Sequence, residues 1–219
     1  VIKTTGVNNI SLDGGQITAE CGATLAKAAM TALGASLTGL EFAHGIPGSV
    51  GGGIVMNAGA YGGEMADVAV KTRYLTTDGQ VKEITGKAHE FGYRKSIFSN
   101  EHDIVLQTVF QLQKGDPIYI KAKMAELSKK RRSTQPLDLP SAGSVFKRPA
   151  GFYTGRLIED CGLKGYKIGG AQVSEKHCGF IVNTGGATAR DVLELISYIK
   201  EKVFCRFGVR LECEIKIIE

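Results

Sequence analysis

No apolar run in the chain approaches the ~18 residues a membrane helix needs, so a spanning protein is not expected. Paired cysteines are missing too. Cys21, Cys161, Cys178, Cys205 and Cys213 are odd in number, scattered and never spaced as CxxC, which points to free thiols in a reducing cytosol and no zinc site. Histidine is scarce. His44, His89, His102 and His177 stand alone, and each reads as a surface or internally satisfied residue rather than a metal ligand, so no metal is expected. No Gly-x-Gly-x-x-Gly follows a strand, no Gly-Lys-Ser/Thr occurs and no HExxH occurs, which argues against a Rossmann site, a P-loop and a zincin. Ser144 lies in Gly143-Ser144-Val145-Phe146, which is not a nucleophile elbow. No internal repeat or low-complexity tract appears. Lys3 is not followed by an apolar core, so no signal peptide is read, and the strand-like start at Val1 suggests a fragment of a longer protein.

What is present is a globular composition: 219 residues, 43% hydrophobic and 22% charged, enough for one large domain or two small ones. The net charge of +5 is mild. Part of it sits in Lys129, Lys130, Arg131 and Arg132, a run that reads as a solvated helix end or as help in attracting an anion. No stripe of aromatic and basic residues accompanies it, so nucleic acid is not an expected partner.

The most unusual stretch is Gly45 to Gly63, GIPGSVGGGIVMNAGAYGG, which is glycine-dense, nearly uncharged and studded with Ile46, Val50, Ile54, Val55 and Met56. Glycines let a backbone approach a ligand closely, and their free N–H groups can form an anion site for a phosphate or pyrophosphate. A packed glycine-rich turn between core elements is the alternative, and spacing does not decide between them.

Along the chain, residues 1–22 read as short strands around an Asp13-Gly14-Gly15 turn. Thr24 is placed to cap a helix carrying Leu25, Ala28, Ala29 and Leu33, with Gly34 as its stop. Strands are expected from Val68 to Tyr74 and from Val81 to Ile84 around Asp78-Gly79, then from Ile104 to Leu112, with the polar stretch FGYRKSIFSN (91–100) between them. Asp116-Pro117 opens a helix running to about Arg132. After the loop SAGSVFKRPA (141–150), Thr154 is expected to cap a short helix ended by Gly162, and Gly179 to Asn183 reads as a buried strand. Thr188 and Asp191 form a capping box before a helix that carries Val192, Leu195, Ile196, Ile199 and Val203 on one face and stops at Gly208. Leu211 to Ile217 alternates like a final strand, with Glu212 and Glu214 on one face. Strands and helices alternate irregularly, which favours an α+β fold.

Five stretches then carry a resemblance: GIPGSVGGGIVMNAGAYGGE, YRKSIF, PSAGSVFKRP, GLKGYKIGGAQVSEKHCGFIVN and FGVRLECEIKII, in that order. Together they resemble the UDP-N-acetylenolpyruvoylglucosamine reductase (MurB) family, in its shorter form without an extra tyrosine-bearing loop. The resemblance implies part of a vanillyl-alcohol-oxidase-type FAD-binding domain and a smaller α+β substrate-binding domain; with the boundary that Asp116-Pro117 marks near residue 115, these fall on 1–114 and 115–208, followed by a final strand over 209–219. It implies that NADPH reduces FAD, which passes hydride to the enolpyruvyl double bond of a UDP-sugar, giving UDP-N-acetylmuramate for peptidoglycan. The partner is therefore a small molecule and the expected compartment the cytoplasm.

By the same resemblance Ser144 is the proton donor, Arg94 the cation that stabilises the growing enediolate, and Glu214 a carboxyl that hydrogen-bonds to it. On the residues alone these read as a loop serine bonding its own backbone, a surface ion-pair partner and a solvent-facing strand residue, and alternation cannot separate Glu214 from Glu212. The cofactor wall falls on Gly45, Ile46, Pro47, Gly48, Ser49, Val50 and Gly51, and on Asn57, Ala58, Gly59, Ala60 and Tyr61. Substrate contacts fall on Tyr93, Gln135, Lys147, Arg148, Lys164 and His177. Arg148 departs from the family's usual asparagine at that place. The family's second glycine-rich loop, of the GGGSN kind, is not among these residues, so the expectation is one wall of a flavin site and weak or no FAD binding. The alternatives are a flavin-free UDP-sugar-binding module and another flavin oxidoreductase of the same superfamily.

Overall fold

Helix α1 (Leu25–Gly34) begins where Thr24 supplies its hydroxyl to the Lys27 N–H at 3.1 Å, and it buries Leu25, Ala28, Ala29 and Ala32. The computed structural model describes residues 2–99 and 102–218, so the strand-like start at Val1 and the Asn100 end of FGYRKSIFSN lie outside the described residues. The chain divides into two compact units, Val1–Arg131 and Arg132–Glu219. The division falls late in helix α3 (Pro117–Thr134), beyond the boundary near residue 115 read from the sequence, because Ile120 and Met124 of that helix are buried in the first core.

In the first unit a five-stranded antiparallel sheet runs in the order Ile10–Asp13, Gln16–Glu20, Ile104–Gln111, Ala69–Leu75, Val81–Thr85. The two outer hairpins turn at Gly14 (φ +55°) and Gly79 (φ +83°), positions that a side chain would strain. Ile17 and Phe110 pair across the sheet, both fully buried, and α1 and helix α2 (Val50–Val55) add Leu25, Val50 and Ile54 to the same core.

A polar chain crosses that sheet. His89 is fully buried, stacked on Phe91 at 4.8 Å, with Nδ1 2.9 Å from the Gly86 carbonyl and Nε2 2.9 Å from the Thr72 hydroxyl. A carbonyl only accepts, so Nδ1 carries the proton, Thr72 donates to Nε2, and Thr108 donates to Thr72 across 3.2 Å. Burial pushes the His89 pKa below its ordinary value, against a smaller upward pull from the Gly86 carbonyl. The unfolded chain therefore takes up a proton near pH ~6.5 that the folded chain resists. Stability is complete above that pH and falls as the pH drops towards the depressed folded value. The unfolding midpoint is expected to fall on acidification from about pH 7.5 to about pH 5.5, and less so in His89→Gln. Equal slopes in the two proteins would show that His89 is not the group responsible.

The second unit holds a four-stranded antiparallel sheet ordered Ser141–Ser144, Phe180–Asn183, Ala171–Val173, Lys167–Ile168. Helix α4 (Thr154–Asp160) contributes Leu157 and Ile158 to its core. Helix α5 (Ala189–Phe207) contributes Leu195, Ile196, Ile199 and Val203, starts in the expected Thr188/Asp191 capping box and stops at Gly208 (φ +69°). Among the described residues, no helix is long and apolar enough to cross a membrane.

Three local expectations are corrected. Gly34 is the last residue of α1, and the left-handed residue that follows is Ser36 (φ +56°). Thr154 lies inside α4 and does not cap it; its hydroxyl donates to the Lys147 carbonyl at 3.1 Å. The final strand shrinks to one bridge, Phe146 with Cys213, flanked by Lys147 N–H to Glu212 O (2.9 Å) and Glu214 N–H to Val145 O (2.8 Å). The ladder stops because the Val145 N–H is spent on the Gly179 carbonyl, the Lys147 carbonyl receives the Thr154 hydroxyl, and Pro149 has no N–H to offer.

Candidate functional site

The glycine-dense ribbon is not a loop. Ser49 caps α2 by accepting the Gly52 N–H at 3.3 Å. Beyond α2, Gly59–Ala60 and Gly63–Glu64 form a small hairpin whose tip holds Tyr61 (φ +55°) and Gly62 (φ +91°). Its glycines divide into two sets. A Cβ on Gly51 would lie 2.9 Å from Cys21, one on Gly53 3.2 Å from Leu25, and one on Gly63 2.6 Å from the Phe42 ring, so these three let the ribbon pack closely. Gly48 and Gly62 have no protein atom within 4 Å of an added Cβ and present open backbone. Open backbone and close packing thus both occur along the ribbon.

Residues of the expected cofactor wall differ in what they can offer a ligand. Val50 and Gly51 donate their N–H groups inward, to Ala23 O (2.8 Å) and Cys21 O (2.9 Å), and have none to give a ligand. The Asn57 side chain also points inward: it is 1% exposed, donates to Gly92 O (3.1 Å) and accepts the Ala66 N–H (2.9 Å). Gly45, Pro47, Gly48, Ser49, Ala58, Gly59, Ala60 and Tyr61 are exposed or half-buried. Ile46 packs against the first core.

Positive charge gathers on this ribbon. The Lys130 ammonium lies 5.2 Å and the Arg131 guanidinium 5.8 Å from the centre of the Tyr61 ring, and a Cβ on Gly45 would sit 3.2 Å from Arg131 Nε. Half of the basic run is therefore folded onto the glycine ribbon, and sequence offered only its charge as a hint. Arg94 approaches the hairpin end, its Nη2 3.5 Å from the Gly59 carbonyl and its guanidinium 5.2 Å from the Tyr93 ring centre. Among the described residues, Asn57, Tyr61 and Arg94 are three of the five non-glycine residues with positive φ, which concentrates backbone strain in this region.

In the second unit, Ser144 ends a strand distorted by a bulge, just after Gly143 (φ +86°), and its hydroxyl donates to the Phe146 carbonyl at 3.3 Å. A Cβ on Gly179 would meet His177 Cε1 at 3.0 Å and Ser144 Oγ at 3.9 Å, so the glycine leaves room for both side chains. His177 Nδ1 accepts the Gly179 N–H at 3.1 Å, which leaves the proton of the neutral ring on Nε2, and burial pushes its pKa down. Glu214 is half-buried and anchored to Val145, the residue after Ser144.

The remaining expected substrate residues are placed less centrally. Lys147 pairs with the exposed Glu212 carboxylate. Lys164 pairs with Glu159 at 3.2 Å. Arg148, the departure from the family pattern, donates to Phe152 O at 3.0 Å and lies 3.8 Å over the Tyr153 ring, so it is engaged with its own loop. Gln135 sits half-buried in the turn after α3.

Comparison with known proteins decides the family. The model of the UDP-N-acetylenolpyruvoylglucosamine reductase C-terminal domain matches residues 135–218, and that of an FAD-binding domain matches residues 1–85. The reductase of Pediococcus pentosaceus is 49% identical over 214 residues, covering 98% of this chain and 71% of the relative. That of Caldanaerobacter subterraneus is 53% identical, covering 100% and 72%. The chain belongs to this reductase family. The crystal structure of the MurB reductase from Thermus caldophilus superposes with a TM-score of 0.84 at 36% identity, over 96% of this chain and 74% of that one. The α+β fold with an FAD-binding domain is thereby established.

The residues of the first unit fit a flavin. Gly48 and Gly62 leave bare backbone that a ring system or pyrophosphate can approach, and Lys130 and Arg131 place cations beside it. Among the described residues, His44 Nδ1 is buried without a hydrogen-bond partner immediately before Gly45.

Proposed function

We propose that the chain catalyses the FAD-dependent, NADPH-driven reduction of UDP-N-acetylglucosamine-enolpyruvate to UDP-N-acetylmuramate in peptidoglycan synthesis. The observation that carries this reading is the near-complete coverage of the chain by reductases at 49–53% identity. The first unit carries the flavin wall, Arg94 and Tyr93; the second carries Ser144, Glu214 and the remaining substrate residues. Bound FAD would supply the hydride, with NADPH as its source.

The chain's own residues handle charge and proton. Hydride arriving at the terminal enolpyruvyl carbon leaves negative charge on its neighbour, shared with the carboxylate as an enediolate. Arg94 pairs with that carboxylate and stabilises the charge as it grows. The Ser144 hydroxyl protonates the carbon; a hydroxyl is a weak acid, but a carbanion is a strong base. Glu214 hydrogen-bonds to the enediolate oxygen. Tyr93, Gln135, Lys147, Lys164 and His177 hold the UDP-sugar, with the neutral His177 offering its Nε2–H. Arg148, stacked on Tyr153, contributes to the shape of the loop beside them. Five cysteines without a disulfide support a cytoplasmic setting.

The test is NADPH oxidation by purified protein supplied with FAD. Oxidation that requires the enolpyruvyl substrate, with UDP-N-acetylmuramate identified by mass, is the expected result. Oxidation indifferent to that substrate would favour another flavin oxidoreductase. UDP-sugar binding by calorimetry with no turnover would favour a binding module.

A further inference from the structure

The turn that presents Arg94 is bolted to the glycine ribbon from one side. Gly92 and Lys95 exchange both backbone hydrogen bonds, at 2.9 and 3.1 Å, closing a two-residue turn with Tyr93 and Arg94 at its tip. Arg94 holds φ +54° there, a conformation that persists only where its surroundings enforce it. Contacts that hold the turn run to residues 55–59. Ser96 Oγ donates to the Val55 carbonyl at 2.8 Å and Ser99 Oγ to the same oxygen at 3.1 Å. Asn57 Nδ2 donates to Gly92 O at 3.1 Å, the oxygen that also receives the Lys95 N–H. Asn57 Oδ1 is held in turn by the Ala66 N–H at 2.9 Å, and the whole side chain is buried.

We propose that Asn57 is a positioning residue for Arg94. Its amide is a strut between the flavin wall and the base of the arginine turn, and it fixes how far the turn stands from the Gly59 backbone that the guanidinium approaches. Without the Nδ2–H the turn can still close through Gly92 and Lys95, but its base is no longer tied to the ribbon at that end. The guanidinium, at the end of a long side chain, then loses register with the carboxylate it must neutralise. A displacement of about 1 Å at such a group can lower a rate by ~10²-fold. The inference rests on the reductase reading, in which Arg94 stabilises the enediolate.

Asn57→Asp isolates the strut. Aspartate has almost the same shape, tolerates positive φ and keeps an oxygen for the Ala66 N–H, but offers Gly92 no donor. The measurements are FAD affinity by titration and the two half-reactions by stopped flow: flavin reduction by NADPH, and reoxidation by the enolpyruvyl substrate. They are made on wild type, Asn57→Asp, Arg94→Ala and the double variant. Reoxidation is expected to slow by ~10²-fold in Asn57→Asp, with FAD affinity and flavin reduction unchanged. The double variant should be no slower than Arg94→Ala, because no arginine remains to misplace. Asn57→Gly, which brings no charge, should repeat this pattern. Additive losses, or weakened FAD binding with normal reoxidation at saturating FAD, would overturn the proposal.

If neither Asn57 variant folds, Ser96→Ala removes a neighbouring bolt and leaves the buried amide in place. It should slow reoxidation in the same non-additive way, and normal reoxidation in Ser96→Ala beside a slow Arg94→Ala would overturn the strut. Wild-type protein that the substrate fails to reoxidise would refute the reductase reading along with it, whereas normal wild-type turnover with additive variants refutes the strut alone.

Discussion

Ser144→Ala should leave reduction of FAD by NADPH at its wild-type rate and slow reoxidation by the enolpyruvyl substrate by about 10²–10⁴-fold, the usual contribution of a positioned acid. The asymmetry follows from where the proton is needed. Flavin reduction requires none from Ser144, whereas the substrate carbanion must be protonated before product can leave. The structure makes a folding explanation for such a loss unattractive. The hydroxyl's hydrogen bond, to the Phe146 carbonyl at 3.3 Å, is long, stays within its own segment, and is worth only about 1 kcal/mol. The bulge and Gly143 (φ +86°) set the direction of the side chain through the backbone, which alanine leaves intact. Stopped-flow absorbance of the flavin separates the two half-reactions. Equal losses in both would show that Ser144 acts on cofactor binding or folding and not on proton delivery.

Much of the fold was legible because its signals are local. Thr24 caps α1, Thr188 and Asp191 box α5, Gly208 stops it, and the Gly14 and Gly79 turns close hairpins where their dipeptides predict. The sheet order was not legible, since Ile104–Gln111 inserts between strands that precede it by tens of residues, and no local pattern encodes that pairing. The last strand misled for a related reason. Alternation from Leu211 to Ile217 reports what could lie on a sheet, but the partner segment has one free step before Pro149.

The glycine ribbon shows the same limit at the site. Spacing treats Gly48 and Gly51 alike, yet one faces open space and the other abuts Cys21, a residue thirty positions upstream. Asn57 falls on the expected cofactor wall by its place in the family motif, and the burial of its side chain against Gly92 depends on a turn far along the chain. The candidate catalytic residues themselves came from motif resemblance; periodicity gave no preference between Glu212 and Glu214.

Glu214→Gln should slow the same half-reaction by roughly 10²-fold, the loss seen when one stabiliser of a developing oxyanion is removed. Glu212→Gln should leave it near wild type. The two residues flank the bridging Cys213, so regular alternation would present both to one side, and a pairing slip of two residues would exchange them. The structure gives the two different surroundings. Glu212 is exposed and its carboxylate is committed to Lys147, an ion pair of the kind that contributes about 0–1 kcal/mol. Glu214 is half-buried and its backbone is fixed to Val145, beside the proposed proton donor. A glutamine at 214 keeps the side chain's size but not its acid function, so the variant should fold, bind FAD and accept hydride from NADPH normally. Its deficit should appear only when substrate must take the hydride up. If Glu212→Gln proves the more damaging of the two, the pairing of 145–147 with 212–214 is misregistered and the acid belongs to Glu212. If both variants reoxidise at the wild-type rate, neither carboxyl touches the enediolate, and its stabilisation must rest on Arg94.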